Sequence, residues 1–334
     1  MFILFLFVSS VSFRQCKVTV IFSRFQENVL ILFKLVWTNE RSLDISQKWA
    51  KKLSKHSFFT VFFCIFAHYN NMVQKSEILE FPQAKGIVVS GDIHGDITPL
   101  VFKCCVQYGM TDTLIIVAGD CGFGFERPGY YEDIYKRCRE KLSKANNWLV
   151  FIRGNHDNPA YFNSLPIKHQ RWMTLPDYSV IKACGHTILC VGGATSIDRT
   201  FRMASKQYHL PNPQDLLMPN VYWSNEEPVL DRKKLDDIDG RCAVDTVITH
   251  TSPSFCELSS HHFLDNWIEQ DGELLDDIKS ERQAMDDIYN YLYSKNHPLR
   301  YWYYGHFHES WHAKIEDVMY HMLDIMELRE IPLV

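Results

Sequence analysis

The chain has 334 residues, 46% of them hydrophobic, and a formal net charge of −5. It is long enough to bury one large core or two, and its acidic balance argues against a broad, non-specific nucleic-acid surface. The ten cysteines are scattered, with Cys104 and Cys105 adjacent and no CxxC pair, the pattern of reduced thiols in a cytoplasmic protein and not of a disulfide framework.

Residues 1–71 contain neither glycine nor proline, which is odd for a folded region with turns. The apolar stretch 2–13 (FILFLFVSSVSF) has no basic residue before it and is too short to span a bilayer; 58–67 (FFTVFFCIFA) is shorter still. No helical or strand period stands out between them. The expectation is an N-terminal extension of doubtful structure at 1–71, with Met72 as the start of a single domain, 72–334. A signal peptide or membrane anchor is one alternative, and an extra element packed on the core is another.

From there the elements follow in order. Residues 86–90 (GIVVS) read as a buried strand that ends on Gly91-Asp92-Ile93-His94-Gly95. Residues 98–108 read as a helix, with Pro99 tolerated in its first turn. A second apolar strand, 113–118 (TLIIVA), ends at Gly119-Asp120-Cys121-Gly122. Residues 130–145 are charged and periodic, hence helical. A third strand, 148–152 (WLVFI), ends at Arg153-Gly154-Asn155-His156-Asp157. Strand, polar loop and helix in alternation, with continuously apolar strands, indicate an α/β layered sheet buried on both faces, and ligands of such sheets gather beyond the strand C-termini. A hairpin follows at 179–191. A polar, proline-containing insertion without strong period covers about 195–240. Residues 244–249 (VDTVIT) form a strand ending at His250. An amphipathic helix spans 273–292, with Leu274, Leu275, Ile278, Met285, Ile288, Tyr289 and Leu292 on one face. Residues 300–304 form a strand ending at Gly305-His306-Phe307-His308, and closing strands occupy 312–323.

Five strand ends thus carry metal-ligand side chains: Asp92 and His94, Asp120, Asn155, His250, and His306 with His308. Each alone is a common turn or a hydrogen-bonded loop histidine. Together they offer three oxygens and four imidazoles, a mixed set that divalent transition metals accept. That is too many for one ion and enough for two, with a carboxylate as the bridge; Asp120, on the middle loop, is the candidate. Such a pair polarises a phosphoryl group and turns a bridging water into hydroxide for in-line attack. His156 is then free to protonate the leaving oxygen, with Asp157 or another acid orienting its ring.

The motifs GDIHG (91–95), GD (119–120), GNHD (154–157), the lone His250 and GHFH (305–308) resemble the five-block signature of calcineurin-like metallophosphoesterases, over roughly residues 85–325. The resemblance implies a four-layer fold, a central β-sandwich of two mixed sheets flanked by helices. It also implies two ions, manganese first, with iron or zinc as alternatives. By the same likeness Asp92, His94, Asp120 and His308 hold one ion; Asp120, Asn155, His250 and His306 hold the other; and His156 matches the general acid.

The departures narrow the reading. Protein serine/threonine phosphatases of this superfamily carry a phosphate-binding arginine four residues after the bridging aspartate, where this chain has Gly124. Purple acid phosphatases have a metal-binding tyrosine at the position of Phe123. The chain is most similar to bacterial and prophage-type members, including the stretch from Gly192 through Arg199 and Arg202 to Trp223, Glu226 and Glu227. Arg199 and Arg202 are candidate phosphate clamps, because a guanidinium fork suits phosphate oxygens; pairing with Asp198, Glu226 or Glu227 is the bland alternative. Arg153 either neighbours the phosphate or caps its strand. The expected activity is hydrolysis of a phosphomonoester or phosphodiester. Nucleotide or cyclic-nucleotide phosphodiesterase and protein phosphatase are alternatives within the class, and a non-catalytic metal-binding scaffold is one outside it. The expected partner is a phosphate-ester substrate; nucleic acid and membrane are disfavoured.

Overall fold

The computed structural model describes residues 75–256 and 264–333 in full, and upstream of them the backbone of four strands. The chain divides into two units, Met1–Val73 and Gln74–Val334. In the first, β1 (Leu6–Phe13), β2 (Cys16–Phe25), β3 (Asn28–Trp37) and β4 (Ser42–Leu43) form an antiparallel meander, with Phe13 opposite Cys16 and Phe25 opposite Asn28. The sequence shows no alternation here. Its runs of Val, Ile, Phe and Leu carry strand propensity without it. The apolar run 58–67 and Met72 lie outside the described residues.

The second unit begins with β5 (Ile78–Glu80), β6 (Gly86–Ser90), α1 (Ile97–Phe102), β7 (Thr113–Val117), α2 (Pro128–Ala145) and β8 (Trp148–Phe151). There follow β9 (Lys168–His169), β10 (Trp172–Thr174), β11 (Ser179–Ala183), β12 (His186–Val191), α3 (Arg199–Met203), α4 (Arg232–Asp239) and β13 (Thr246–Thr249). The last elements are α5 (Leu264–Gln270), α6 (Leu274–Ser294), β14 (Tyr301–Tyr304), β15 (Trp311–Ile315), β16 (Val318–Met322) and β17 (Leu328–Glu330). One sheet has the order β17-β6-β7-β8-β10-β9, the other β15-β16-β14-β13-β12-β11-β5. Both are mixed: β6, β7, β8 and β10 run parallel, as do β12, β13, β14 and β16, with antiparallel strands outside these blocks.

Alternate side chains of a strand point to opposite faces, and that alternation builds the layers. Ile87, Val89, Leu114, Ile116 and Val150 face Ile181, Ile188, Ile248 and Tyr303 of the other sheet in the sandwich interior. Their neighbours Ile115, Val117, Leu149 and Phe151 pack outward on Ile97, Leu100, Ile134 and Leu142 of α1 and α2. Across the molecule, Val247, Trp302 and Tyr304 meet Leu235, Ile238, Met285, Ile288 and Leu292 of α4 and α6. The result is the expected helix–sheet–sheet–helix stack, each fully buried Leu or Ile contributing about 1.5–3 kcal/mol. On α6 one expected face residue differs: Leu275 is 37% exposed while Leu274 is buried, because adjacent helical positions lie about 100° apart. The short strands β5, β9, β10 and β17 are too brief to announce themselves by periodicity. Among the described residues no helix is long and apolar enough to cross a membrane.

The two parallel blocks set the site. Every polar loop named above leaves a strand C-terminus of β6, β7, β8, β13 or β14, so the five loops converge at one edge of the sandwich.

Candidate metal centre and active site

At that edge, ligand atoms of Asp92, His94, Asp120 and His308 all lie within 4.8 Å of one another. Asp92 Oδ1 accepts the His306 backbone N–H at 3.0 Å. Its Oδ2 is buried and has no hydrogen-bonded partner, although His308 Nε2 is 3.0 Å away. That Nε2 is also 3.0 Å from His94 Nε2. An orphaned carboxylate oxygen and two imidazole nitrogens therefore face one small space. The Asp92 carboxylate holds the His308 ring above its ordinary range.

Asp120 joins this group to a second one. Its Oδ2 lies 3.9 Å from His94 Nδ1, and its Oδ1 lies 3.1 Å from His250 Nε2. His250 Nδ1 sits 2.8 Å from the Ala118 carbonyl, which can only accept, so Nδ1 carries a proton and Nε2 is the nitrogen turned toward the site. Nε2 lies 3.0 Å from Asn155 Oδ1 and beside Asp120 Oδ1, which also accepts the His156 backbone N–H at 2.8 Å; with the ring charged Nε2 donates to these oxygens, and with the ring neutral its lone pair is open to a cation. His306 stands beside them, its ring centroid 5.0 Å from that of His250. Burial disfavours charge on His250, yet the carboxylates Asp120 and Asp92 push its ring up to about 10. Burial alone would raise Asp120, but His250, His156 and His94 hold its carboxyl well below the usual range. The pocket demands positive charge, and the donor set of the Asp92, His94, Asp120 and His308 cluster, hard oxygens with borderline imidazoles, fits a divalent ion.

The backbone is bent to make this possible. His94, Asp120, His306 and His308 all have positive φ, between 41° and 71°, a conformation that non-glycine residues hold at a cost of order 1 kcal/mol or more and that concentrates at functional sites. At Gly154 a Cβ would lie 2.0 Å from Asp120 Oδ1, so the glycine of the third loop is the seat of the second loop's carboxylate.

The geometry separates the alternatives left open by the sequence. Asp157 does not orient His156. Its carboxylate accepts three backbone amides, Cys121 and Gly154 at Oδ2 and Phe123 at Oδ1, at 2.8–2.9 Å, and so ties the second loop to the third. Arg153 is a strut: Nε donates to Asp177 Oδ2 at 2.9 Å, and its two terminal nitrogens donate to the Glu226 and Glu227 carbonyls. Arg199 is consumed by Asp271 on two nitrogens and by Asp277 at 2.6 Å. Arg202 differs from both. It is 7% exposed, pairs Asp198 through Nε at 2.8 Å, donates through Nη2 to His156, and leaves Nη1 buried without a partner. Burial pushes the His156 ring down to about 4, against the pull of Asp120 and with the push of Arg202.

The two departures from the family pattern have structural reasons. Phe123 is fully buried, its ring packed with Tyr131, Phe151 and Phe162, away from the metal-ligand cluster. At Gly124, with φ of +111°, a Cβ would meet Asn158 Cβ at 2.4 Å and the Trp223 ring at 2.7 Å. Trp223 of the insertion thus fills room an arginine would need there, and the same insertion places Arg202 against His156. Sequence reading placed Ser196 and Glu226 in a stretch that resembles family members but missed their role, the support of Asn155.

Residues 86–310 match the family model described as calcineurin-like phosphoesterase. This chain belongs to that family. No curated protein matches it by sequence. Among solved structures it is similar to a protein described as a 5'-nucleotidase from Staphylococcus aureus, solved with alpha-ketoglutarate, at 9% identity and a TM-score of 0.35, covering 73% of this chain and 50% of that one. It is also similar to phosphopantetheinyl hydrolase from Mycobacterium tuberculosis, at 11% identity and a TM-score of 0.33, covering 74% of this chain and 96% of that one. The chain thus spans half the length of the first of these structures.

Proposed function

We propose a two-metal phosphoesterase in which Asp92, His94, Asp120 and His308 hold one ion and Asp120, Asn155, His250 and His306 hold the other. The observation that carries this reading is Asp120, one carboxylate with an oxygen facing each group of donors. Two bound divalent ions would supply Lewis acidity toward a phosphoryl oxygen and lower the pKa of a water; manganese is the first choice. The chain's own residues do the rest. Arg202 offers the unpartnered Nη1 as a phosphate donor. A phosphate that engages Arg202 draws it off His156 and removes the push of that guanidinium on the ring; the freed nitrogen then takes a proton from solvent and returns it to the leaving oxygen as general acid. Phe125 lies over His156 at 6.2 Å between centroids and meets Trp223 edge-on at 5.4 Å, giving the leaving group an aromatic wall. The substrate is a phosphomonoester or phosphodiester. The protein-phosphatase alternative is weakened by the crowding at Gly124. The eight described cysteines are free thiols, which supports a cytoplasmic location.

The test is turnover of an aryl phosphate and a bis-aryl phosphate by the full chain with manganese, before and after chelation, alongside metal analysis. Two ions per chain and chelator-sensitive hydrolysis of either ester are expected. A chain without metal, or one inert toward both esters when loaded, overturns the reading. Replacing Arg202 by Ala is expected to lower kcat/KM by about 10–100-fold, mostly through KM.

A further inference from the structure

An amide can hold a metal only through its oxygen, because its nitrogen carries two protons and no available lone pair. Something must therefore decide which end of Asn155 faces the ion. Asn155 Nδ2 donates to Ser196 Oγ at 3.1 Å, which turns Oδ1 toward His250. Ser196 accepts there because its own proton is committed: Oγ donates to Glu226 Oε2 at 2.8 Å. The other carboxylate oxygen, Oε1, accepts the Ser196 backbone N–H at 2.7 Å, so the carboxylate is pinned at both ends. Asn155, Ser196 and Glu226 are 3%, 1% and 1% exposed, which leaves little room for water to substitute for any link. Glu226 itself is held by Arg153, which donates to its carbonyl.

We propose that Glu226 is a positioning residue that, through Ser196, fixes the polarity of Asn155 so that its oxygen faces the second metal position. The proposal rests on the two-metal reading above. It makes an uncommon prediction for an isosteric change. In Glu226→Gln the oxygen still accepts the Ser196 N–H, but the atom facing Oγ becomes an NH2 donor. The Ser196 proton then loses its acceptor, and the one within reach is Asn155 Oδ1, available only if the amide turns over and points its nitrogen at the ion. Ser196→Ala removes the link without reversing it, and a cation can then select the oxygen for itself.

The experiment is manganese titration of the full chain and its variants, following bound ions by calorimetry and the coupled two-manganese signal by electron paramagnetic resonance. Wild type is expected to bind two ions. E226Q is expected to keep the first and bind the second about 10–100-fold more weakly, with a smaller loss in S196A. A carboxylate at the ligand position makes orientation irrelevant: in N155D/E226Q the Ser196 proton finds the new carboxylate and the second ion returns. N155D alone, with one hydroxyl proton between two carboxylates, is expected to bind that ion more weakly than the double variant. If E226Q fails to fold, the comparison of N155D with N155D/E226Q decides the matter. Equal second-ion affinities in wild type and E226Q, or no gain from E226Q in the N155D background, overturn the relay alone. Fewer than two ions in wild type overturns the two-metal reading, and the relay with it.

Discussion

The two halves of the site are built differently. In the half formed by Asp92, His94 and His308, the His94 and His308 side chains are 31% and 44% exposed and make contacts chiefly with each other and with Asp92 and Asp120. In the half formed by Asn155 and His250, both are buried and each has a committed outer partner, Ser196 for the amide and the Ala118 carbonyl for the imidazole. On the two-metal reading, the deep half would have its donor geometry set before an ion arrives, and the shallow half would complete its geometry around the ion. Outer partners that fix ligand orientation are commonly worth 10–100-fold in metal affinity. The deep position is therefore expected to hold its ion more tightly, and chelation to proceed in two phases. A single phase of metal loss would break the comparison.

Substitutions probe it in order of size. Asp120→Asn removes the one group common to both halves and is expected to lower the rate by about a thousandfold or more while both ions are lost, measured by kinetics beside metal analysis. His156→Asn touches neither half, so a rate loss of about 10²–10⁴-fold should come with two ions still bound. The loss should shrink for an aryl ester whose leaving group needs no proton; equal losses on good and poor leaving groups would remove His156 as the acid. Paired substitutions sharpen the contrast directly. His250→Asn is expected to lose its ion at metal concentrations where His94→Asn still retains one, which equilibrium dialysis would show. A reversed order would mean that exposure, and not the outer partners, governs affinity.

The smallest effect concerns the metal-free chain. Burial pushes the Glu281 carboxyl up to about 7, against the donors of Thr195 and Thr251. An acid whose folded pKa is raised stabilises the fold while protonated, and that contribution fades as pH rises through the folded value. Stability with chelator present should thus fall from about pH 5 to pH 7, by up to about 1.4 kcal/mol per pH unit. Thermal unfolding across that range checks the sign. A rise instead would mean that Glu281 is ionised in the metal-free fold.

Much of this was legible in the chain. The strands β6, β7, β8, β13 and β14 are short apolar runs, and each ends on a side chain that can bind a metal, so the family signature and the layered fold follow from local pattern. The substrate side was not. Arg153, Arg199 and Arg202 are alike in sequence as arginines near acids, yet two are tied up in carboxylates and carbonyls and one keeps a free, buried donor. Asp157 sits next to His156 in the chain but accepts three amides, two on the second loop and one on its own.

The sequence by itself determined which residues stand at the strand ends, because a parallel block carries its C-terminal loops to one edge whatever else the chain does. Only the tertiary structure decided what those residues are joined to. Glu226 lies 71 residues from Asn155 in sequence number and acts on it through one hydroxyl proton. No local period or motif encodes that contact, because it exists only where the insertion folds back over the third loop and shuts out water.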